Sequence, residues 1–123
     1  MLIDSSGWIE FFTDGPLAGA YVSHLKHPQQ LITPTIVLYE VYEVIKRQRS
    51  EEEALAAVAQ MGKTRIVPLT DSIALTAADL SLTHHLAMAD AIVYATALTE
   101  GTTLLTSDGD LEHLPGVQYL KKP

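Results

Sequence analysis

Leu2-Ile3-Asp4-Ser5-Ser6-Gly7-Trp8-Ile9-Glu10-Phe11-Phe12 opens the chain, and its reading decides the fold. Two apolar residues stop at an aspartate, a small polar turn follows, and residues 8–12 take up a helical pattern, so the segment reads as strand, turn, helix. The same order then recurs along the chain. Thr13-Asp14-Gly15-Pro16 is punctuation, residues 17–26 predict a second short helix closed by His27-Pro28, and residues 30–33 are a brief strand. Pro34 suits the start of the next helix, over residues 35–49, where Val37, Leu38, Val41, Val44 and Ile45 form one apolar stripe.

Beyond it, Ser50-Glu51-Glu52-Glu53 has the form of a capping box, with Ser50 as cap and Glu53 reaching back, and introduces a helix over residues 54–61 that Gly62 closes. Residues 65–69 predict a strand, Thr70 or Asp71 caps a helix running to about residue 85, and residues 88–99 form a helix that is apolar almost all round. Gly101 terminates it. Residues 102–106 are a β-prone run that stops at Asp108-Gly109-Asp110, and residues 117–120 are the last short strand. Strands alternating with helices imply parallel pairing with helices on both faces, so the expected fold is a three-layer α/β/α sandwich around a mostly parallel sheet of four to five strands. In open sheets of this kind ligands bind beyond the carboxyl ends of the strands, where the strand order reverses.

At 123 residues and 47% hydrophobic content the chain is the size of one domain able to close a core without disulfides. No internal repeat or linker divides it. Cysteine is absent, which excludes thiolate chemistry and fits a cytosolic protein, and no secretion leader or membrane span is expected, since charges such as Glu40 and Asp90 interrupt every long apolar stretch. The formal charge of -7 argues at first against nucleic-acid binding. Four carboxylates gathered in one site would supply more than half of it, however, and bound divalent cations would reverse the local sign.

Four acids stand out. Asp4 and Asp108 each follow an apolar strand, which puts both at the sheet edge where a site is expected; each is also a favoured helix N-cap. Asp90 stands in the first turn of the apolar segment Met88-Ala89-Asp90-Ala91-Ile92-Val93-Tyr94-Ala95, where a carboxylate needs more compensation than a helix N-terminus supplies. Glu40 lies on the margin of its helix's apolar stripe, pointing toward the seam between helix and sheet. Glu43 and Arg47 lie further round that helix, spaced for a solvated i,i+4 ion pair. Asp110 reads as part of a turn with Gly109, or as a fifth acid on the rim. The histidines, with His84-His85 adjacent and His24, His27 and His113 scattered, show no ligand spacing. A cluster of carboxylates suits the hard cations Mg²⁺ or Mn²⁺, and two such ions about 4 Å apart support in-line displacement at a phosphodiester.

Leu2-Ile3-Asp4-Ser5-Ser6, Glu40 in the helix after the second strand, Leu86 through Ala97 and Leu104-Leu105-Thr106-Ser107-Asp108-Gly109-Asp110-Leu111 together resemble the PIN-domain ribonucleases, in particular the VapC-type toxins of toxin-antitoxin pairs. The resemblance spans nearly the whole chain and implies a single PIN-like domain over residues 1–123. It implies an acidic pocket of Asp4, Glu40, Asp90 and Asp108, with Asp4 and Asp90 foremost as metal ligands and Asp110 at a frequently acidic position. Ser6 and Thr106 match hydroxyl positions that orient carboxylates or waters; turn capping is the alternative. Also implied are magnesium-dependent endonucleolytic cleavage of RNA, homodimerisation, and inhibition by a small antitoxin that inserts a segment into the acidic groove. Lys46, Arg47 and Arg49, on the helix that carries Glu40, are candidates for holding RNA phosphates, or simply cations at a helix C-terminus. Trp8, Phe11 and Phe12 are expected in the core or at a dimer contact rather than stacked on bases.

Two other functions fit the same pattern less completely. A receiver-like phosphoacceptor switch shares the size, the parallel sheet and magnesium-binding acids at strand ends, but here two serines follow Asp4, and Asp71 with Lys121 or Lys122 would have to fill the remaining roles. A PIN-like binding module without catalysis would not need all four acids.

Overall fold

The structure, a computed structural model, describes residues 1–123. Five short strands, β1 (Leu2–Ile3), β2 (Ile32–Pro34), β3 (Arg65–Val67), β4 (Leu104–Thr106) and β5 (Val117–Tyr119), make one sheet in the order β3-β2-β1-β4-β5, every neighbouring pair parallel. Six helices connect them: α1 (Ser5–Phe12), α2 (Ala18–Leu25), α3 (Thr35–Gln48), α4 (Glu51–Met61), α5 (Asp71–His84) and α6 (Met88–Thr99). Right-handed crossovers fix the layers. The steps from β1 to β2 to β3 run one way and carry α1 to α4 on one face; the return from β3 to β4 runs the other way and carries α5 and α6 on the opposite face. This is the three-layer sandwich expected from the sequence, with a sheet that is wholly rather than mostly parallel.

A sheet covered on both faces has no polar side, which is why its central strands are apolar without alternation. Leu2, Ile3, Leu104 and Leu105 are all fully buried, and Val37, Val41, Met61, Ala95 and Leu111 close over them from the helices. Between Ala91 and Ala97 every residue of α6 is buried, the outcome expected of a helix apolar all round. Trp8 is 3% exposed and stacks on Phe12 at 5.7 Å between ring centroids, so it belongs to the core.

Local chemistry moves several boundaries. Helix α1 begins at Ser5, three residues earlier than the apolar pattern, because the Asp4 carboxylate accepts from the Gly7 N–H and caps it. Thr70, not Asp71, caps α5, accepting from Ile73 N–H at 3.2 Å. Only half of the expected capping box forms: Ser50 Oγ accepts from Glu53 N–H at 3.1 Å, but the Glu53 carboxylate turns to Arg49 at 3.9 Å instead of reaching back. Strand β3 ends at Val67, since Pro68 offers no N–H to continue the ladder.

One buried charge was not anticipated. Glu10, 5% exposed in the middle of α1, accepts from Leu17 N–H at 3.2 Å and pairs with Lys122 Nζ at 3.0 Å. A side chain at Gly15 would meet that carboxylate and displace it from the Leu17 amide and Lys122. The pair ties the carboxyl-terminal tail to α1.

The sheet's middle carries the fold's stability. Leu105→Ala, in a fully buried site of β4, is expected to lower the unfolding free energy by about 2 to 5 kcal/mol, read from urea denaturation. Leu82→Ala, at a side chain 79% exposed, should stay within about 0.5 kcal/mol of the parent.

Candidate active site

The strand order reverses between β1 and β4, and at the same edge β1 is followed directly by Asp4 and β4, after Ser107, by Asp108. The register pairs Leu2 with Leu104 and Ile3 with Leu105, so the next residues, Asp4 and Thr106, come level. Thr106 Oγ1 donates to Asp4 Oδ2 at 2.7 Å, and Ser6 Oγ donates to Asp4 Oδ1 at 2.5 Å. The two hydroxyls in turn accept backbone N–H groups of the loop after β4: Ser107 N–H to Ser6 Oγ at 3.0 Å and Asp108 N–H to Thr106 Oγ1 at 2.9 Å. A two-ended hydroxyl clamp therefore joins Asp4 to the loop that carries Asp108.

Asp4 is 4% exposed. Burial pushes its carboxyl above the ordinary aspartate range and the charge of Asp108 adds to this, while hydrogen bonds from Ser6, Thr106 and the Gly7 amide pull in the other direction. Asp4 joins two parts of the fold at once: one oxygen serves Gly7 and Ser6 at the start of α1, and the other serves Thr106 of the neighbouring strand. Asp108 is also double: its Oδ1 accepts from Asp110 N–H at 2.9 Å, capping a single 3₁₀ turn over Gly109–Leu111.

Asp90 arrives from the other face of the sheet, in the first turn of α6. Its carboxyl is raised to about 7, first by burial and then by the charge of Asp108 and a hydrogen bond to it, with smaller contributions from Asp4 and Asp110. Glu40, in the second turn of α3, is half-buried; burial raises its carboxyl, a hydrogen bond from Ser5 lowers it, and the charges of Asp4 and Asp108 raise it again. Carboxylate oxygens of Asp90, Asp108 and Asp110 lie within 4.8 Å of one another, a spacing suited to a shared cation. Asp110 thus both forms the turn and brings a fifth acid to the group. The histidines take no part in it.

The basic candidates are elsewhere. Lys46, Arg47 and Arg49 lie at the far end of α3, roughly 9 Å or more along the axis from Glu40 at 1.5 Å per residue. Lys46 pairs with Glu51 at 3.4 Å, and Arg49 reaches Glu53 and the carbonyl of Thr13 at the end of α1. The helix runs away from the sheet edge that holds the acids, so its C-terminal cations do not border the pocket. Arg47 does not pair with Glu43, whose carboxylate accepts from Tyr39 OH at 2.9 Å. The receiver arrangement also fails: that fold orders its strands 2-1-3-4-5, whereas here β3 is an edge strand, Asp71 is exposed on α5, and Lys122 is bound to Glu10.

Tyr21 and Ser107 were given no role from the sequence. Tyr21, in α2, is fully buried, and its hydroxyl meets Ser107 Oγ at 2.5 Å. The i,i+4 spacing from Leu17 marks Tyr21 as core, but nothing in the chain signals the partner of its hydroxyl, 86 positions away.

Residues 1–117 match the PIN domain family model. No curated protein matches the chain. Among solved structures, a toxin-antitoxin complex from Klebsiella pneumoniae superposes with a TM-score of 0.80 at 25% identity, covering 95% of this chain and 94% of that one. VapC20 from Mycobacterium tuberculosis, described as a sarcin-ricin loop cleaving toxin, gives 0.81 at 21% identity over 99% and 98% of the two chains. VapBC2 from Rickettsia felis, bound to a fragment of promoter DNA, gives 0.78 at 13% identity over 99% and 98%.

Raised carboxyls have a consequence for the metal-free protein. The folded state binds the Asp90 proton more tightly than the unfolded chain, so the stability linked to it is complete below about pH 4, falls as pH rises to about 7, and is absent above. Asp4 and Glu40 act with the same sign. Asp90→Asn should therefore melt higher than the parent at pH 8, with the gap narrowing toward pH 5, in thermal melts with EDTA. A parent as stable at pH 8 as the variant would show that the acids do not repel one another.

Proposed function

Because this chain belongs to the PIN domain family, we propose that it is a divalent-metal-dependent endoribonuclease and the toxin of a toxin-antitoxin pair. The observation that carries the reading is the gathering of Asp90, Asp108 and Asp110 with carboxylate oxygens within 4.8 Å of one another, at the point where the strand order reverses. The clamped Asp4 and the half-buried Glu40 lie outside that closest group but near enough for their charges to act on or be acted on by the same acids. None of the chain's ion pairs reaches these acids.

The donors are all hard oxygens, the set that Mg²⁺ and Mn²⁺ prefer, and a proton held to about 7 on Asp90 marks negative charge that the protein itself leaves uncompensated. Asp90, Asp108 and Asp110 would hold the ion, with Asp4 completing the set. A divalent cation bound there supplies neutralising charge and polarises the scissile phosphate. Asp4 is kept in one orientation by Ser6 and Thr106. Glu40, its proton affinity raised by burial and by its acidic neighbours, is suited to accept a proton from the water that attacks phosphorus. That attack forms a new phosphorus–oxygen bond and breaks the ester bond to one ribose oxygen, which leaves and takes a proton from solvent to become a hydroxyl, cutting the strand.

The structural likeness to toxin-antitoxin proteins supports an antitoxin as partner; the other parts of the reading follow from the resemblance. The whole of residues 1–123 acts as one PIN-like domain, in the cytoplasm, as a homodimer, with RNA as substrate and a small antitoxin as inhibitor. No helix is long and apolar enough to cross a membrane.

Purified protein is expected to cut RNA only with Mg²⁺ or Mn²⁺, and Asp4→Asn or Asp90→Asn should lower the rate by at least about 100-fold, in line with loss of a group that holds the reacting centre, while circular dichroism stays unchanged. Cleavage that survives EDTA, or survives either substitution, would remove the mechanism. RNA binding without cleavage by the parent would favour the binding-module reading.

A further inference from the structure

Asp4 is oriented by Ser6, and Ser6 is itself held. Its hydroxyl hydrogen is committed to Asp4 Oδ1, so the lone pairs must be met by donors, and one of them is Ser107 N–H at 3.0 Å. Whether that N–H points at Ser6 depends on the loop between β4 and Asp108, whose side chain at position 107 is anchored by the phenol of Tyr21 at 2.5 Å. Tyr21 cannot drift. It is fully buried in α2, and its ring lies against Gly7 so closely that any Cβ there would collide with it and would stand 2.7 Å from Ile3 Cγ2. The glycine that follows Ser6 thus lets the phenol reach the loop. Burial and the charge of Asp4 push the phenol above its ordinary range, with the hydrogen bond to Ser107 opposing them, so it stays protonated at neutral pH.

We propose that Tyr21 and Ser107 form a positioning device for the acidic pocket: the buried phenol fixes the Ser107 hydroxyl, the loop presents its amide to Ser6, and Ser6 holds Asp4 in the orientation needed to bind a divalent cation. This rests on the metal-site reading above. Neither residue touches the reacting atoms, so both are positioning residues, and outer hydrogen bonds of this type alter metal affinity by about 10- to 100-fold when removed.

The device predicts effects that a purely structural role would not produce. Tyr21→Phe keeps the ring and removes one oxygen. In metal-free protein, amide hydrogen exchange at Ser107 should accelerate at least about 10-fold, while the amides of Leu104 and Leu105 in β4 keep their protection. Calorimetric titration with Mn²⁺, without RNA, should show a Kd weakened by about 10-fold or more. Ser107→Ala should have the same effect and Tyr21→Phe/Ser107→Ala no more than either alone, since both break one contact; Ser107→Thr, which keeps the hydroxyl, should rescue binding. Unchanged Ser107 exchange, or unchanged Mn²⁺ affinity with only a lower melting temperature, would overturn the proposal. A parent that binds no Mn²⁺ would overturn the metal-site reading as well, whereas a parent that binds it as tightly as Tyr21→Phe does would overturn the positioning role alone.

Discussion

A carboxylate at the point where the core begins needs partners, and the burial of Asp4 organises much of what surrounds it. At 4% exposure the group has lost most of its hydration, and an unpaired charge there would be costly. The chain meets the demand with two hydroxyls and a helix N-terminus: Thr106 donates from the neighbouring strand, and Ser6 Oγ and Gly7 N–H donate from the first turn of α1. These bonds also set the rest of the site. Thr106 and Ser6 each accept an amide of the loop after β4, so the hydrogen bonds that solvate Asp4 place Asp108. Parallel pairing of β1 with β4 is what makes this geometry available, since it brings Asp4 level with Thr106.

The alternation of elements was legible because each has a local signature. The period of α3, the uniformly apolar α6 and the Ser50 cap of α4 are properties of neighbouring residues, and they appear in the structure within a few positions of where the pattern puts them. What slipped were termini governed by a single side chain. Asp4 starts α1 early because its carboxylate caps the helix, and Glu53 leaves its capping role because Arg49 stands one turn before it. Glu10 shows the same limit in the core. Its place in Trp8-Ile9-Glu10-Phe11 looks like the polar side of an amphipathic helix, yet it is buried, because partners seven and 112 positions away satisfy it.

For the site, the sequence marks the strand-end acids through position and Asp90 through its apolar surroundings, both local cues. Their convergence is tertiary. That Asp110 joins Asp90 and Asp108 depends on the tight turn after β4, and the turn reading, taken alone, hid the fifth acid. Lys46, Arg47 and Arg49 show what spacing along a helix adds. Membership of the same helix as Glu40 suggested proximity, but two turns of helix place the cations toward the opposite edge of the sheet.

Charge distribution then decides what can approach the pocket. The lysines and arginines that pair do so with other acids: Lys46 with Glu51, Arg49 with Glu53, Arg65 with Glu100 and Lys122 with Glu10. A phosphodiester nearing the acids on its own would meet several like charges within a few ångströms, and in a half-buried site their repulsion is several-fold stronger than in water. An added positive charge must therefore come first. On the proposed function a divalent cation fills that need and lets phosphate follow, so metal binding is a condition of substrate binding as well as of chemistry. The same uncompensated charge would accept a basic side chain from a protein partner. On that proposal, a side chain of arginine or lysine carried into the pocket would occupy the place of the cation and exclude both metal and phosphate.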